Sequence, residues 1–454
     1  MKLKHLTILL ILWMFVQLLL SASTPEFTFA ETAPSVFVGV DVAYDNITAT
    51  KQLADKIRTY ANLIIIGCAY DINFRNKTRL NELFDLCQYL YDKGFYLMLF
   101  ENIQPIQEIV DHVRLYGDRF LGFFAYDEMG GRQLDQASNN PYFNESESYG
   151  AASTFFVNRL HGWLFDNSTM SFCRNFNHPT EFRLFTSDYA LYWFDYKAGY
   201  DVVLAQLGWN YSRQLNIALC RGAASVQGKE WGTMILWKYT QPPYMESSSE
   251  LYNDMVLSYN NGAKFITIFD SDANYTESVL TQEHLEAMKL FWQYIQDNPR
   301  VNVDQNGRFA YALPEGYAYG FRGPKDKIWG IWDADMTSFM ISISVNIMLE
   351  RYGPKLDIIY EEALSSGKTF DYNDIILWND PTAVSDLWPS DWPIPTITPI
   401  PVTTTSATIL ETPKGFENPN KYVYIVIGWI AVVVTVAVGL VLRWKLRRSR
   451  IIHY

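Results

Sequence analysis

Short apolar runs alternate with longer amphipathic stretches along most of this chain, beginning near residue 36. Eight such runs occur, and each is nearly continuous in Val, Ile, Leu and Phe, which is typical of parallel strands covered on both faces. They are Phe37–Val42, Leu63–Cys68, Phe95–Phe100, Phe120–Tyr126, Phe182–Thr186, Val202–Leu207, Thr233–Trp237 and Phe265–Phe269. The pattern therefore predicts eight buried strands.

The stretches between these runs have helical spacing. Apolar residues recur at intervals of three and four over Leu80–Tyr91 and again over Leu285–Ile295, where Thr281 is placed to cap the helix. Eight strand–helix units within residues 35–298 match a (β/α)₈ TIM barrel in number and length. A doubly wound open sheet is the alternative, which the absence of a G-x-G-x-x-G turn after the first run disfavours.

The pattern changes beyond residue 298. The predicted elements there are a strand at Lys327–Trp332, a helix that ends at Tyr352, and strands at Leu356–Tyr360 and Asp374–Trp378. Together they predict a small α/β domain over residues 307–380. Residues 388–420 are rich in Pro and Thr, a composition that buries too little apolar surface to offset its ordering entropy, so an extended stalk is expected.

Both ends of the chain indicate export and anchoring. Residues 1–23 read as a signal peptide, with cleavage there or as late as residue 30. Residues 422–442 carry no charge and are long enough to cross a bilayer as a helix. The tail 443–454 is basic and is expected on the cytoplasmic side. We therefore expect a single-pass cell-membrane protein whose amino-terminal part is extracellular and whose partner is a lipid bilayer.

The charge composition of the chain limits the classes of partner that it can bind. The chain has a formal net charge of −12, which becomes −19 when the basic residues of the signal and tail are left out. Nucleic acid is excluded as a partner because phosphate binding needs a basic surface. Glycosylation is expected of an exported chain, and acceptor sequons begin at Asn46, Asn76, Asn144, Asn167, Asn210 and Asn274. The four cysteines are compatible with disulfides or with free buried thiols.

Candidate chemistry lies where the predicted strands end, because a barrel of this kind collects its functional groups there. Acidic residues occupy six of the eight positions. The residues at the strand ends are Asp41, Asp71, Glu101, Asp127 with Glu128, Asp188, Gln206, Lys238 and Asp270. The interleaved aromatic residues are Tyr44, Tyr70, Tyr126, Trp209, Trp237, Tyr239 and Tyr244. Rings that stack on sugar faces, together with carboxylates that accept from hydroxyls, predict a glycan site.

The sharpest motif is Gly122–Gly131, which reads Gly-Phe-Phe-Ala-Tyr-Asp-Glu-Met-Gly-Gly. The run is apolar up to Ala125, so Asp127 and Glu128 fall at the end of the fourth strand. A simpler interpretation is that these two carboxylates cap a helix or pair with Arg132. This motif, in an exported and aromatic-rich barrel, resembles the glycoside-hydrolase group of TIM barrels.

The resemblance implies a role for each acid. Many families of that group place their proton-donating Glu at this strand, which implies that Glu128 is the general acid/base and that Asp127 tunes its pKa or positions the substrate. Two carboxylates this close raise one of the two pKa values, which suits a proton donor. From their positions at the predicted strand ends, the residues expected to bind substrate are Asp41, Tyr44, Tyr70, Glu101, Tyr126, Asp188, Trp209, Lys238 and Tyr239.

The chain also departs from the largest clan of retaining enzymes in that group. Those enzymes carry Asn before the strand-4 Glu and a nucleophilic Glu at strand 7, where this chain has Asp127 and Trp237-Lys238-Tyr239. The partner carboxylate must therefore come from elsewhere. Asp270 is the first candidate, followed by Glu101 and Asp41.

Several other chemistries are disfavoured. No histidine falls at a predicted strand end, and the motifs G-x-S-x-G, G-x-x-x-x-G-K-[ST] and paired C-x-x-C are absent. We expect no metal, no cofactor and no nucleotide. The leading expectation is a membrane-anchored extracellular enzyme that cleaves a glycan with carboxylates. The alternatives are a catalytically inactive barrel that binds carbohydrate or belongs to the cell envelope, and a purely structural surface protein.

Overall fold

The computed structural model describes the part of the chain that contains the expected barrel. The described residues are 34–67, 77–101, 103–136, 146–166, 171–300, 307–365 and 370–380. All of them lie in one compact unit, residues 1–395. The expected signal peptide, stalk, membrane span and tail lie outside the described residues. Among the described helices, none is both long and apolar enough to cross a membrane.

Eight parallel strands close into a barrel in the order β1 to β8, and β1 pairs with β8 from Phe37↔Phe265 to Val42↔Asp270. The strands are β1 Phe37–Val42, β2 Leu63–Ile66, β3 Tyr96–Glu101, β4 Phe120–Ala125, β5 Arg183–Asp188, β6 Val202–Leu207, β7 Glu230–Ile235 and β8 Phe265–Asp270. The predicted TIM barrel is confirmed, and the open-sheet alternative is wrong.

Helices connect successive strands on the outside of the barrel. They are α1 Ile47–Ile57, α2 Lys77–Asp92, α3 Gln107–Val113, α4 Met129–Gln136, α5 Tyr149–Phe165, α6 Tyr192–Ala198, α7 Arg213–Gln227, α8 Ser248–Asn260 and α9 Gln282–Asp297. Polar caps begin several of them, as Asn46 does for α1 and Ser148 for α5. Short 3₁₀ turns at Arg114–Arg119 and Phe172–Asn175 complete this layer.

Side chains of each strand alternate between two apolar clusters. Phe37, Phe100 and Leu204 belong to the cluster inside the barrel. Val38 and Leu99, at the intervening positions, belong to the larger cluster between the strands and the helices. This alternation of period two decides which strand-end side chains enter the barrel.

A second, three-stranded parallel sheet follows the barrel, with the strand order β10-β9-β11. Its elements are β9 Phe309–Leu313, α10 Met336–Tyr352, a 3₁₀ turn at Gly353–Lys355, β10 Leu356–Tyr360, α11 Glu361–Leu364 and β11 Asp374–Leu377. The expected strand at Lys327–Trp332 is instead a turn that one isolated bridge closes, because Trp329 and Gly330 both have positive φ. Strand β9 takes the place of that expected strand.

The second sheet is joined tightly to helix α7 of the barrel. Buried Arg221 donates from Nε to Asp357 Oδ1 at 2.6 Å and from Nη2 to Leu356 O at 2.7 Å. A Cβ atom on Gly222 would lie 2.3 Å from the carbonyl oxygen of Ile358, so only glycine allows the helix and β10 to approach this closely. The sheet is therefore packed as part of the same body as the barrel.

Candidate active site

A cavity of about 260 Å³ lies at the carboxyl end of the barrel strands. Its polar side chains are those of Asp41, Asp127, Glu128, Gln206 and Arg132. Its rings belong to Phe100, Phe124, Trp209, Trp237, Phe269 and Tyr275, with Met234 and Leu236 filling the remaining wall. Carboxyl groups and aromatic rings therefore share one enclosure, at the end of the barrel where they were expected.

Asp127 and Glu128 are linked through two neighbouring side chains. The Ser187 hydroxyl donates to Asp127 Oδ1 at 2.6 Å, and Gln206 Nε2 donates to Ser187 Oγ at 2.8 Å and to Glu128 Oε1 at 2.9 Å. Ser187 and Gln206 are buried inward-facing residues of β5 and β6. Glu128 Oε2 also lies 3.9 Å from Arg132 Nε. The two carboxyl groups therefore sit at opposite ends of one hydrogen-bonded chain.

Their environments separate the two acids of the pair. Burial, followed by the nearby charge of Glu128, raises the pKa of Asp127 well above its usual range, and the Ser187 hydrogen bond only partly opposes this. The Glu128 side chain is 31% exposed, and its partners are an amide N–H and a guanidinium. Of the two acids, Asp127 is therefore the one whose burial favours the neutral form of the carboxyl group.

Asp41 is the third carboxyl group of the cavity. It shares the inward face of β1 with Phe37 and is only 4% exposed. Its Oδ1 atom has no hydrogen-bond partner within the part of the chain that the structure describes. Burial, followed by the charge of Asp270, raises the pKa of Asp41 to about 8. Asp41 is therefore a second acid that carries a proton at neutral pH.

Asp188 fixes the loop that carries the acidic pair. Its carboxylate accepts backbone N–H bonds from Gly130 at 2.6 Å, Gly131 at 2.8 Å, Tyr189 at 2.7 Å and Ala190 at 3.0 Å. A Cβ atom on Gly131 would lie 2.1 Å from the ring of Tyr189, so a side chain there would displace the start of α4. Asp188 was predicted to bind substrate, but the structure places it behind the cavity wall, where it holds the backbone after Glu128.

Asp270 and Glu101 end their strands on the outward face. Asp270 accepts hydrogen bonds from Ser278 Oγ at 2.8 Å and Val279 N at 2.8 Å, and burial raises its pKa to about 6. Glu101 is 1% exposed and follows the inward-facing Phe100. Neither residue lines the cavity. Of the candidate partner acids, Asp41 therefore lines the same cavity as Glu128, whereas Asp270 and Glu101 do not.

Two tryptophans form part of the wall, as their positions suggested. Trp209 N donates to Trp237 O at 2.8 Å, and Trp237 Nε1 donates to Ser271 O at 2.8 Å. Arg213 Nη1 donates a hydrogen bond to the carbonyl oxygen of Trp209 at 3.0 Å. Both rings are therefore attached to a backbone that is fixed by hydrogen bonds.

The remaining predicted binding residues lie elsewhere. Lys238 is paired with Glu250, and Tyr239 is 45% exposed beside the Lys238 ammonium. Tyr126 packs against Trp163 and Phe172 and lines a separate cavity of about 320 Å³ formed with residues 103–107 and Asn175. Tyr44 is buried in the outer cluster. Tyr70, like Asp71 and Cys68, lies outside the described residues.

Three residues of the site were not assigned a role from the sequence. Ser187 precedes the strand-end acid of β5, and Gln206 was noted at the end of β6 without a function. Both side chains face inward, so the alternation of inward and outward positions along each strand could have identified them. Tyr275 belongs to the loop after β8, and nothing in the sequence pattern indicates that its ring turns toward the cavity.

Many residues at this end of the barrel adopt a left-handed backbone conformation. In the loops that follow β4 to β8, the described residues other than glycine with positive φ are Tyr126, Glu128, Leu191, Trp209, Tyr244 and Tyr275. Each costs roughly 1–2 kcal/mol relative to an ordinary conformation. Such strain persists only where the surroundings impose it, and it concentrates at functional sites.

Metal-ligating side chains and thiols are the other groups that could bear on the chemistry of the site. Within the described ranges, no group of three or more His, Cys, Asp or Glu side chains is arranged to hold a metal ion. Cys87, Cys173 and Cys220 are buried free thiols. The acidic and basic side chains that line the cavity are those of Asp41, Asp127, Glu128 and Arg132.

No family model matches the chain, and no curated protein sequence is similar to it. Similar solved structures include a GH5_18 protein from Bifidobacterium longum subsp. infantis, which is 8% identical with a TM-score of 0.48 and covers 76% of this chain and 97% of its own. A GH5_18 protein from Streptomyces cattleya in complex with GlcNAc is 10% identical with a TM-score of 0.47, covering 77% and 100%. PbGH5A from Prevotella bryantii B14, a glycoside hydrolase family 5 enzyme, is 11% identical with a TM-score of 0.34, covering 57% and 96%.

Proposed function

We propose that the cavity binds a glycan and that its carboxyl groups hydrolyse a glycosidic bond. The observation that carries this proposal is the joining of Asp127 and Glu128 through Ser187 and Gln206 in a cavity walled by aromatic rings. Glycoside hydrolysis needs one carboxyl group that gives a proton and a second that is ionised. A pair whose environments differ in this way supports an acid and base assignment.

The environments favour one distribution of roles within the pair. Burial favours the neutral form of Asp127, so we assign to this residue the proton that passes to the departing glycosidic oxygen as the C–O bond breaks. Glu128 is the more accessible carboxyl group and acts on the anomeric carbon, directly or through a water molecule. This distribution reverses the one implied by the family resemblance, in which Glu128 gives the proton. Asp41 contributes a hydrogen bond to the bound sugar.

Two variants test these roles. The purified full-length chain is incubated with a panel of polysaccharides, and new reducing ends are measured. Asp127→Asn and Glu128→Gln are each expected to lower turnover about 10²–10⁴-fold. On aryl glycosides with 4-nitrophenolate as the leaving group, which departs without a proton, the loss in Asp127→Asn is expected to shrink, whereas that in Glu128→Gln is expected to persist.

The control is Asp118→Asn, which removes one exposed carboxylate at the opposite end of the barrel and should leave turnover unchanged. Thermal unfolding of each variant confirms that its fold is intact. Full turnover by both cavity variants would refute hydrolysis by these carboxylates. Equal losses of Asp127→Asn on both classes of substrate would refute its role as the proton donor.

A catalytically inactive, glycan-binding barrel is the second candidate. The observation that favours it is the segment after β7, where Trp237 and Lys238 occupy the region of an expected acid and Lys238 is paired with Glu250. Such a protein would retain a polysaccharide on an affinity column without releasing reducing ends. Neither retention nor release would indicate a purely structural surface protein.

We further propose that the barrel is held outside the cell by a single membrane span. The apolar stretch 422–442 and the basic tail 443–454 support this topology. The test is protease treatment of intact cells that produce the full-length chain with an epitope after residue 454. Loss of the barrel with retention of a membrane-bound epitope is expected. Release of the whole chain into the medium would contradict the anchor.

A further inference from the structure

The cavity contains more acidic than basic side chains. Asp41, Asp127 and Glu128 supply three carboxyl groups, whereas Arg132 is the one basic side chain among the described lining residues. The Arg132 side chain is 55% exposed and lies 3.9 Å from Glu128, so it is at the edge of the cavity and much of its charge is screened by solvent. A ligand that fills the cavity therefore meets more carboxyl groups than basic groups, and burial favours the neutral form of Asp41 and of Asp127 until a cation binds.

Asp41 adds an independent sign of a missing partner. The residue is nine-tenths buried and inward-facing, yet its Oδ1 atom has no hydrogen-bond partner within the described ranges. Buried polar atoms are nearly always paired, and leaving one unpaired costs about 1–3 kcal/mol. A donor on the ligand would supply this bond. A donor that also carries a positive charge would in addition favour the ionised form of Asp41 over the neutral form.

The apolar part of the wall fits the same kind of ligand. Trp209, Trp237 and Tyr275 line the cavity together with the three acids. Aromatic rings attract ammonium groups through their electron-rich faces, and the attraction strengthens where water is excluded. The volume of about 260 Å³ lies just below the usual range of small-molecule pockets, roughly 300–1,000 Å³, so the room is for about one sugar residue.

We propose that the sugar residue bound in this cavity carries a free ammonium group, so that the substrate class is a glycan containing unacetylated amino sugar. This inference rests on the proposed glycan site and names its ligand. The ammonium donates a hydrogen bond to the Asp41 carboxylate and offsets the charge of Glu128. Because the positive charge favours the ionised form of Asp41, binding is accompanied by release of a proton from that carboxyl group.

The test compares sugars that differ only in the group at one carbon. Glucosamine, galactosamine and mannosamine are titrated into the full-length chain by isothermal calorimetry, each beside its hydroxyl and N-acetyl counterparts. At least one amino sugar is expected to bind roughly tenfold or more tightly than both counterparts, a difference of about 1.4 kcal/mol. The preference should weaken as salt is raised, because part of it is Coulombic. If no amino sugar binds more tightly than its counterparts, the inference is overturned.

Variants locate the preference within the cavity. Asp41→Asn and Glu128→Gln are each expected to reduce the ratio of amino-sugar to hydroxyl-sugar affinity roughly tenfold. Asp118→Asn removes an exposed carboxyl group at the other end of the barrel, and should leave the ratio unchanged. Repeating the titration in buffers of different ionisation enthalpy measures the released proton, which Asp41→Asn should abolish. A ratio that all three variants leave intact would contradict recognition by these carboxylates.

The outcomes separate this inference from the enzymatic proposal. Hydrolysis of neutral glycans without a preference for amino sugars would overturn the inference and leave the proposed reaction standing. Tight binding of amino sugars without release of reducing ends from any glycan would support the inference and remove the proposed reaction. In that case the cavity would be a receptor for cationic sugars.

Discussion

Replacing Asp41 by asparagine is expected to stabilise the fold near neutral pH, although the residue lies in the cavity. The side chain is 4% exposed, and its pKa rises from 3.8 to about 8 because burial and the charge of Asp270 disfavour the ionised form. The folded state therefore binds a proton that the unfolded chain releases above pH 4. Asparagine has the same shape and no proton to hold.

The sign and size of the effect follow from linkage. Because the native state binds more protons than the unfolded state, the contribution of Asp41 to the free energy of unfolding is greatest at low pH and is lost as pH rises toward about 8. Each pH unit between the two pKa values corresponds to about 1.4 kcal/mol, which sets an upper limit of about 4 kcal/mol at pH 7. Allowing for relaxation around the buried group, we expect Asp41→Asn to gain about 2–4 kcal/mol relative to the wild type between pH 4 and pH 8.

Denaturant unfolding at several pH values between 4 and 8 measures this gain. The quantity of interest is the difference in the free energy of unfolding between Asp41→Asn and the wild type, because other titrating groups cancel in it. Asp118→Asn is the control, and its difference from the wild type should stay within about 0.5 kcal/mol throughout. A difference for Asp41→Asn that does not change with pH would refute the reasoning, since only a shifted proton equilibrium produces a slope.

Three further predictions follow from other contacts. Ser187→Ala removes the hydroxyl that links the two carboxyl groups of the pair; about tenfold lower kcat with little change in KM is expected, and a change confined to KM would contradict a positioning role. Gly131→Ala brings a Cβ atom within 2.1 Å of the Tyr189 ring, and should lower the free energy of unfolding by about 1–3 kcal/mol and weaken glycan binding. Thermal unfolding measures the first effect, and an unchanged melting temperature would show that the loop adjusts without cost. Asp357→Asn leaves the charge of buried Arg221 uncompensated and should cost about 3–5 kcal/mol in denaturant unfolding, whereas a loss below about 1 kcal/mol would mean that the contact with the second sheet is dispensable.

Much of the fold could be predicted from the sequence because strands buried on both faces are continuous apolar runs. The runs locate all eight barrel strands to within a few residues; Val202–Leu207 coincides with β6, and Phe182–Thr186 is shifted by one or two residues from β5. Strand β9, Phe309–Leu313, was missed although it also is an apolar run. The strand expected at Lys327–Trp332 fails because apolar composition alone does not reveal a turn.

The candidate site could be predicted only in part. Strand ends identify the acids near the mouth of a barrel, but the alternation of side chains decides which of them enter it. Glu101 and Asp270 each follow an inward-facing phenylalanine and so point outward, whereas Asp41 shares the inward face of Phe37. The raised pKa of Asp127 depends on burial and on neighbours that include Asp41 of β1 and Asp188 of β5, which no local pattern contains.

The left-handed residues around the mouth have a consequence for attempts to engineer this protein. Glycine at Trp209 or Tyr275 would relieve the backbone of roughly 1–2 kcal/mol and would delete a ring from the wall in the same step. Directed evolution that selects only for heat resistance would therefore favour variants that are more stable but bind sugars more weakly. A campaign that seeks robustness should screen retention of ligand in every round, and should leave these loop positions out of its libraries.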